Sequence, residues 1–234
     1  MKQLLFIFAL LLGMTAQADP GDEMTVIWDR VLKRHVTTDG RVDYAGIKVD
    51  KEFSQVVSLF QKQIPDGTWT KNESLAYWMN AYNVFAIKLV VDHYPVKSIN
   101  DIDNPWKQKT IKIAGKSYSL DQIENEIIRP TFKDARIHFG INCASESCPP
   151  ISRTAFTGTN VNSELDRLAR AFMKDTKRNK FQGSSAQVSK IFEWFSVDFE
   201  KEGGVIAFMK KHGANIENGA NLSYLDYDWS LNSK

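Results

Sequence analysis

Both cysteines of this 234-residue chain and one of its four histidines fall in a single segment, Arg136-Ile137-His138-Phe139-Gly140-Ile141-Asn142-Cys143-Ala144-Ser145-Glu146-Ser147-Cys148-Pro149-Pro150. Three chemistries use these residue types. A thiolate nucleophile needs a base or a cation nearby, and His138 is the nearest candidate to Cys143 in the sequence. A Cys143–Cys148 disulfide is the second reading, since these are the only two cysteines and the compartment inferred below is oxidising. So short a loop gives roughly 2 kcal/mol by the chain-entropy formula, so a bridge would mainly shape the loop. A metal site on Cys143, Cys148 and His138 is the third reading. Its spacing matches no common zinc signature, and a fourth ligand would have to come from afar. No metal or cofactor is therefore expected.

Residues 135–141 alternate, with Ile137, Phe139 and Ile141 on one side and Arg136, His138 and Gly140 on the other. That pattern predicts a half-buried strand. Five extended residues span roughly 16 Å at about 3.3 Å each, so a Cys143–His138 pair cannot form along a continued strand. It requires the chain to turn at Gly140 to Asn142 and fold the loop back.

Other polar residues stand where they need partners. Asn80 and Asn83 lie three apart in an otherwise apolar helical stretch, so they share a face. They are either hydrogen-bond glue to a loop, or Asn80 orients a catalytic group or donates to an oxyanion. Glu124 sits at the edge of the Ile123/Ile127 stripe. It could hold a histidine tautomer, pair with Arg129 or Arg136, or be a plain helix charge. His35, His93 and His212 fall at predicted helix C-termini, where a cation is favourable for capping alone.

The N-terminus reads as a secretory signal: Lys2, an apolar run from Leu4 to Leu12, and Ala16-Gln17-Ala18 before Asp19. Residues 1–18 are expected to be cleaved, leaving 19–234 as a single globular domain. The apolar run is shorter than the roughly 20 residues of a spanning helix, so no span is expected in the mature chain. No cysteine lies near the cleavage site, so a lipid anchor on a new N-terminal Cys is not expected. The expected location is periplasmic or secreted.

Hydrophobic residues at 43% and aromatics at 12% fit a folded chain. The formal charge of +2 gives no reason to expect nucleic acid as a partner. The basic run Lys174 to Lys180 has no interleaved aromatics and reads as a solvated helix end and turn.

Helical periodicity covers 23–36, a stretch after Asp50, and about 71–92, the last opened by the capping box Thr70–Glu73. This longest helix is apolar over much of its circumference and should be central and buried. Lys109 to Tyr118 reads as a hairpin around Ala114-Gly115. Ser119 to Gln122 is a second capping box, opening a helix that ends before Pro130. Helices are expected around Leu165–Met173 and 205–211, with short strands near Phe181 and Val188–Ile191. The class is α+β: a helical N-terminal half whose central buried helix packs on a small, mainly antiparallel sheet.

These segments resemble the domain-of-unknown-function 547 family. The resemblance rests on Tyr77-Trp78-Met79-Asn80-Ala81-Tyr82-Asn83, on Ser119 to Glu124 with Ile128-Arg129, on Asp134 to Cys143, and on Ser147-Cys148-Pro149-Pro150. Lys190 to Phe199 and Tyr227 to Asn232 extend it, with the family core at about 70–175. It implies functional positions at Asn80, Glu124, His138 and Cys143, and a second cysteine, Cys148, that some relatives replace by Ser. The set is similar in content to papain-like and transglutaminase-like sites. Those, however, usually place Cys before His, on a helix N-terminus.

Two functions follow as expectations. One is a thiol-dependent hydrolase or acyl transferase, with Cys143 as nucleophile, His138 as base, Glu124 as its orienter and Asn80 or a backbone N–H as oxyanion donor. The alternative is a non-catalytic exported binding domain closed by a Cys143–Cys148 disulfide, with Trp78, Tyr82 and Trp106 lining a cleft. Either would take a small molecule or a peptide.

Overall fold

The computed structural model describes residues 20–234; the leader expected over 1–18 lies outside the described residues. Three helices open the chain: α1 (Pro20–His35), the short α2 (Tyr44–Lys48) and α3 (Lys51–Lys62). The periodic residues Met24, Ile27, Trp28, Val31 and Leu32 are all buried. Asp50 caps α3 by accepting from the Glu52 N–H at 2.8 Å.

The central helix is α4 (Lys71–His93), with the full capping box between Thr70 and Glu73. It is buried nearly all round and packs against α2, α3 and two later helical segments. A hairpin follows, β1 (Ile111–Ile113) and β2 (Lys116–Tyr118), turning at Ala114-Gly115 with both residues at positive φ.

The next helix runs past the proline at which it was expected to end. Residues Gln122–Ile128 wind as a π-helix and continue into α5 (Arg129–Phe132), which contains Pro130. Proline removes a backbone donor and crowds the carbonyl one turn back; the wider turn just before it accommodates both. Ser119 caps this segment by accepting from the Gln122 N–H at 3.1 Å. The return half of that capping box does not form, because Gln122 Oε1 is buried without a partner.

Residues Ala135–Phe139 form a 3-10 helix, not the expected strand. Asp134 caps it through the Arg136 N–H at 3.0 Å. A half-buried strand would expose alternate residues, yet His138 is as buried as Ile137 and Phe139. An alternation this short is compatible with either period, and tertiary packing chose the helical one.

The chain then forms α6 (Val161–Met173), β3 (Lys180–Val188), α7 (Ile191–Trp194), a 3-10 stretch Ser196–Glu202, α8 (Val205–Lys211) and β4 (Ile216–Tyr224). The α+β class and the helical N-terminal half stand. The sheet differs in detail: among the described residues there are two separate pairs, the hairpin being antiparallel and the longer β3–β4 pair parallel. Parallel strands need a crossover, and α7 to α8 supply it. Phe139, Phe172, Phe192, Phe199 and Phe208 stack under this crossover and fix it to the 3-10 helix. The tail after β4 returns through bridges Ser98–Ser230, Ser145–Leu231 and Val42–Ser233.

Candidate functional site

The chain leaves the 3-10 helix at Gly140, and α4 holds the segment Gly140 to Asn142; the Cys143–His138 pair that a fold-back was to allow does not form. Asn83 donates to the Gly140 carbonyl at 2.9 Å and accepts from the Asn142 N–H at 2.8 Å. Gly140 is needed for space: a Cβ there would lie 2.4 Å from Met79 Cε and 2.9 Å from Leu165 Cδ2. Asn142 Oδ1 accepts from the Ala144 N–H at 2.9 Å, while its Nδ2 donates to the Pro149 carbonyl at 2.8 Å. Asn232 of the tail donates to Asn142 Oδ1 at 3.2 Å and accepts from the Tyr44 hydroxyl at 2.7 Å. A buried chain of amides thus spans Asn83, Asn142 and Asn232, with the loop backbone satisfied by it.

The loop presents two free thiols. Cys143 is partly exposed, and its Sγ lies 3.0 Å from Ser145 Oγ and 3.3 Å from the Tyr227 hydroxyl. Cys148 is buried, and its Sγ accepts from the Cys143 N–H at 3.0 Å. Hydrogen bonding from the Cys148 thiol, then from Ser145 and Tyr227, pulls the Cys143 thiol down to about 6. Burial and the adjacent Cys143 push Cys148 well up. The pair shares one favoured ionisation, with the charge on Cys143. Burial also keeps the Tyr227 hydroxyl protonated, so it serves as donor.

His138 is clamped. Its Nε2 lies 2.7 Å from Asp198 Oδ2, and its ring stacks on Phe195 with centroids 4.0 Å apart. Arg129 holds the same carboxylate in a fork, Nε to Oδ2 at 2.7 Å and Nη2 to Oδ1 at 3.0 Å. The His138 and Arg129 contacts outweigh desolvation and hold Asp198 well below the usual carboxylate range. With Nε2–H committed to a carboxylate, Nδ1 of a neutral ring is the free base.

A cavity of about 170 Å³ joins these groups. His138, Cys143, Cys148 and Glu124 all line it, together with Tyr82, Trp106, Trp194, Phe195, Tyr227 and Trp229. His138 and Ile141, three apart, both reach it, as the 3-10 winding of 135–139 allows. Burial raises the Glu124 carboxyl, against the opposing pull of His138 and the Tyr82 hydroxyl. Cys143 and His138 share the cavity without a hydrogen bond between them.

Three of the four expected residues therefore meet: Cys143, His138 and Glu124. Asn80 does not join them. Its amide donates to the Phe156 carbonyl at 2.7 Å and accepts from the Phe156 N–H at 3.0 Å, so it ties the 155–157 loop to α4 and does not line the cavity. The hydrogen-bond partner of the histidine is Asp198, a residue not singled out in the sequence; Glu124 lines the same cavity without a hydrogen bond to His138. Arg129 pairs with Asp198, and Arg136 pairs with Asp134 and Asp166, so neither takes Glu124. Of the three aromatics expected in a cleft, Tyr82 and Trp106 line this one, while Trp78 packs edge-on against Tyr77 and Tyr118. Among the described residues, no group of three His, Cys, Asp or Glu side chains is placed to hold a metal ion.

A family described as "Protein of unknown function, DUF547" matches residues 67–173. Over these residues the chain is similar to that family. No curated protein and no solved structure matches the chain. The DUF547 region supplies α4, Glu124, His138 and both thiols, but it does not complete the site. Asp198, Phe195, Trp194, Tyr227 and Trp229 all lie C-terminal to it. The signal that could have found Asp198 and Tyr227 was the aromatic-rich pair of segments 190–199 and 227–232, read above for resemblance but given no chemical role.

Proposed function

We propose that the protein is a thiol-dependent acyl-transfer enzyme, a hydrolase or acyl transferase, with Cys143 as nucleophile. The observation that carries this reading is the Cys143 thiol. It is hydrogen-bonded by Cys148, Ser145 and Tyr227, depressed to about 6, and open to the cavity that His138 also lines. A thiolate already formed at neutral pH attacks an acyl carbonyl without prior proton transfer. The Tyr227 hydroxyl beside the sulfur is the donor best placed for the developing oxyanion. The raised carboxyl of Glu124 protonates the leaving group, forming a thioester on Cys143. Water then attacks the thioester, His138 Nδ1 takes its proton, and Cys143 leaves as thiolate. The proton passes from His138 back to Glu124, closing the cycle. With another nucleophile in place of water the product is a transferred acyl group.

The test is iodoacetamide labelling of Cys143 as a function of pH. A midpoint near 6 is expected; a midpoint near the ordinary thiol value of about 8.5, or no labelling, would defeat the proposal. A binding domain without catalysis is the second reading, supported by the aromatic lining at Trp106, Trp194 and Trp229. It predicts ligand quenching of Trp fluorescence that survives Cys143→Ala, with no acyl adduct by intact mass. We further infer an exported, periplasmic or secreted protein beginning at Asp19. N-terminal sequencing of the mature chain tests that start.

A further inference from the structure

We propose that Cys143 and Cys148 form a redox-active dithiol that reduces the disulfides of small thiols. Geometry separates the two sulfurs into distinct roles. Both sulfur-bearing residues line the 170 Å³ cavity by which a small disulfide would enter, but only Cys143 is partly exposed. Cys148 is buried and accepts a hydrogen bond from the Cys143 backbone N–H at 3.0 Å. A turn closes the loop, with the Cys148 N–H donating to the Ser145 carbonyl at 3.2 Å. The second sulfur is thus already seated against the backbone of the first residue.

The loop is also unsuited to a merely structural staple. Ala144, between the cysteines, sits at φ +61°, a left-handed conformation that costs a residue with a Cβ roughly 1–2 kcal/mol. Asn142 and Asn232 hold that turn from outside it, so the loop's shape does not depend on a bridge. Strained or accessible disulfides are the easily reduced ones. The ionisation order agrees, since attack belongs to the low-pKa, exposed thiol.

The steps balance. The Cys143 thiolate attacks one sulfur of R–S–S–R; a Cys143–S–S–R bond forms and RS⁻ leaves. Cys148 gives its proton to that departing thiolate, and its own thiolate attacks Cys143 Sγ. The mixed disulfide breaks, the second RS⁻ leaves and takes up the proton first lost from Cys143, and Cys143–S–S–Cys148 remains. One disulfide is reduced to two thiols, and the protein dithiol is oxidised. A small dithiol returns it to the starting state.

The experiment treats the reduced full-length mature protein with 2-hydroxyethyl disulfide, quenches with acid and reads intact mass. The wild type should lose two hydrogens, release two thiols and revert with dithiothreitol. Cys148→Ser, which keeps an acceptor for the Cys143 N–H, should stop at a single hydroxyethylthio adduct. Cys143→Ser should stay unmodified. An adduct that persists on the wild type would show that Cys148 does not resolve it and would overturn the proposal. So would Cys148→Ser without an adduct in a sample that circular dichroism shows to be folded, or a bridge that resists dithiothreitol. Iodoacetamide labelling of Cys148→Ser keeps this separate from acyl transfer: that reading needs Cys143 reactive in the variant and does not need the bridge.

Discussion

At Cys143 the decisive interaction is hydrogen bonding with Cys148, Ser145 and Tyr227; among the described residues no basic side chain is hydrogen-bonded to the sulfur. A hydrogen bond to a charged group contributes about 1.5 kcal/mol, equivalent to about one pH unit. Tyr227→Phe should therefore raise the alkylation midpoint of Cys143 by about one pH unit, and Ser145→Ala should shift it the same way. An unmoved midpoint in both would mean the thiolate is stabilised by something else. At His138 the Asp198 carboxylate accepts from Nε2 and so selects the Nε2–H tautomer. Nitrogen-15 NMR of the ring should report Nε2–H in the wild type, and Asp198→Asn should lose that preference. The linkage has a definite sign. Asp198 is depressed in the fold, so its contribution is present above the ordinary Asp value of about 3.9 and is lost as pH falls below it.

At the level of elements, α4 uses two asparagines one turn apart for different ends. Asn83 holds the turn that bears Cys143, and Asn80 holds the 155–157 loop. Replacing either by Ala leaves a buried N–H and a buried carbonyl without partners, at about 1–3 kcal/mol per group. Denaturant unfolding should show both variants destabilised. Only Asn83→Ala should also move the Cys143 alkylation midpoint, because only that side chain fixes the loop; equal effects from both would remove the distinction. Gly140→Ala forces Met79, Leu165 and Phe156 apart and should cost about 1–3 kcal/mol by overpacking. The periodic patterns of α1, α3, α4 and α6 were legible because each has a buried face repeated over several turns. The 135–139 segment was not, because one and a half turns of 3-10 helix are too short to separate period 2 from period 3.

For the whole molecule, the site joins the DUF547 region to the C-terminal quarter of the chain. The tail donates from the Asn232 N–H to the Ala144 carbonyl at 3.1 Å and accepts from the Glu146 N–H at the Ser230 carbonyl, at 2.8 Å. Truncation after Tyr224 should therefore leave helical circular dichroism largely intact while raising the Cys143 alkylation midpoint, since Tyr227 goes with the tail. A second global effect comes from His212. Both its ring nitrogens are buried without partners at the end of α8, and burial lowers its pKa. Glu202 and Asp166 raise it, and Lys211 and Arg170 lower it, without reversing that direction. The unfolded chain binds a proton near 6.5 that the folded one resists, so stability should fall as pH drops below about 6.5. His212→Leu should flatten that slope in thermal melts taken between pH 5 and 7.5; an unchanged slope would remove His212 as its source.

The amino-acid sequence by itself determined the α+β class, the buried central helix with its cap and the hairpin turn. These follow from local periodicity and turn chemistry, which are properties of neighbouring residues. Only the tertiary structure decided which partners the polar groups took. Asp198 reaches His138 from sixty residues away and Tyr227 reaches Cys143 from eighty-four. Glu124 and Asn80, chosen by position, proved to be a cavity-lining carboxyl without a bond to His138 and a loop tie. A hydrogen bond between distant residues leaves no local pattern, because packing of the phenylalanine cluster and the returning tail, and not spacing along the chain, brings its two ends together.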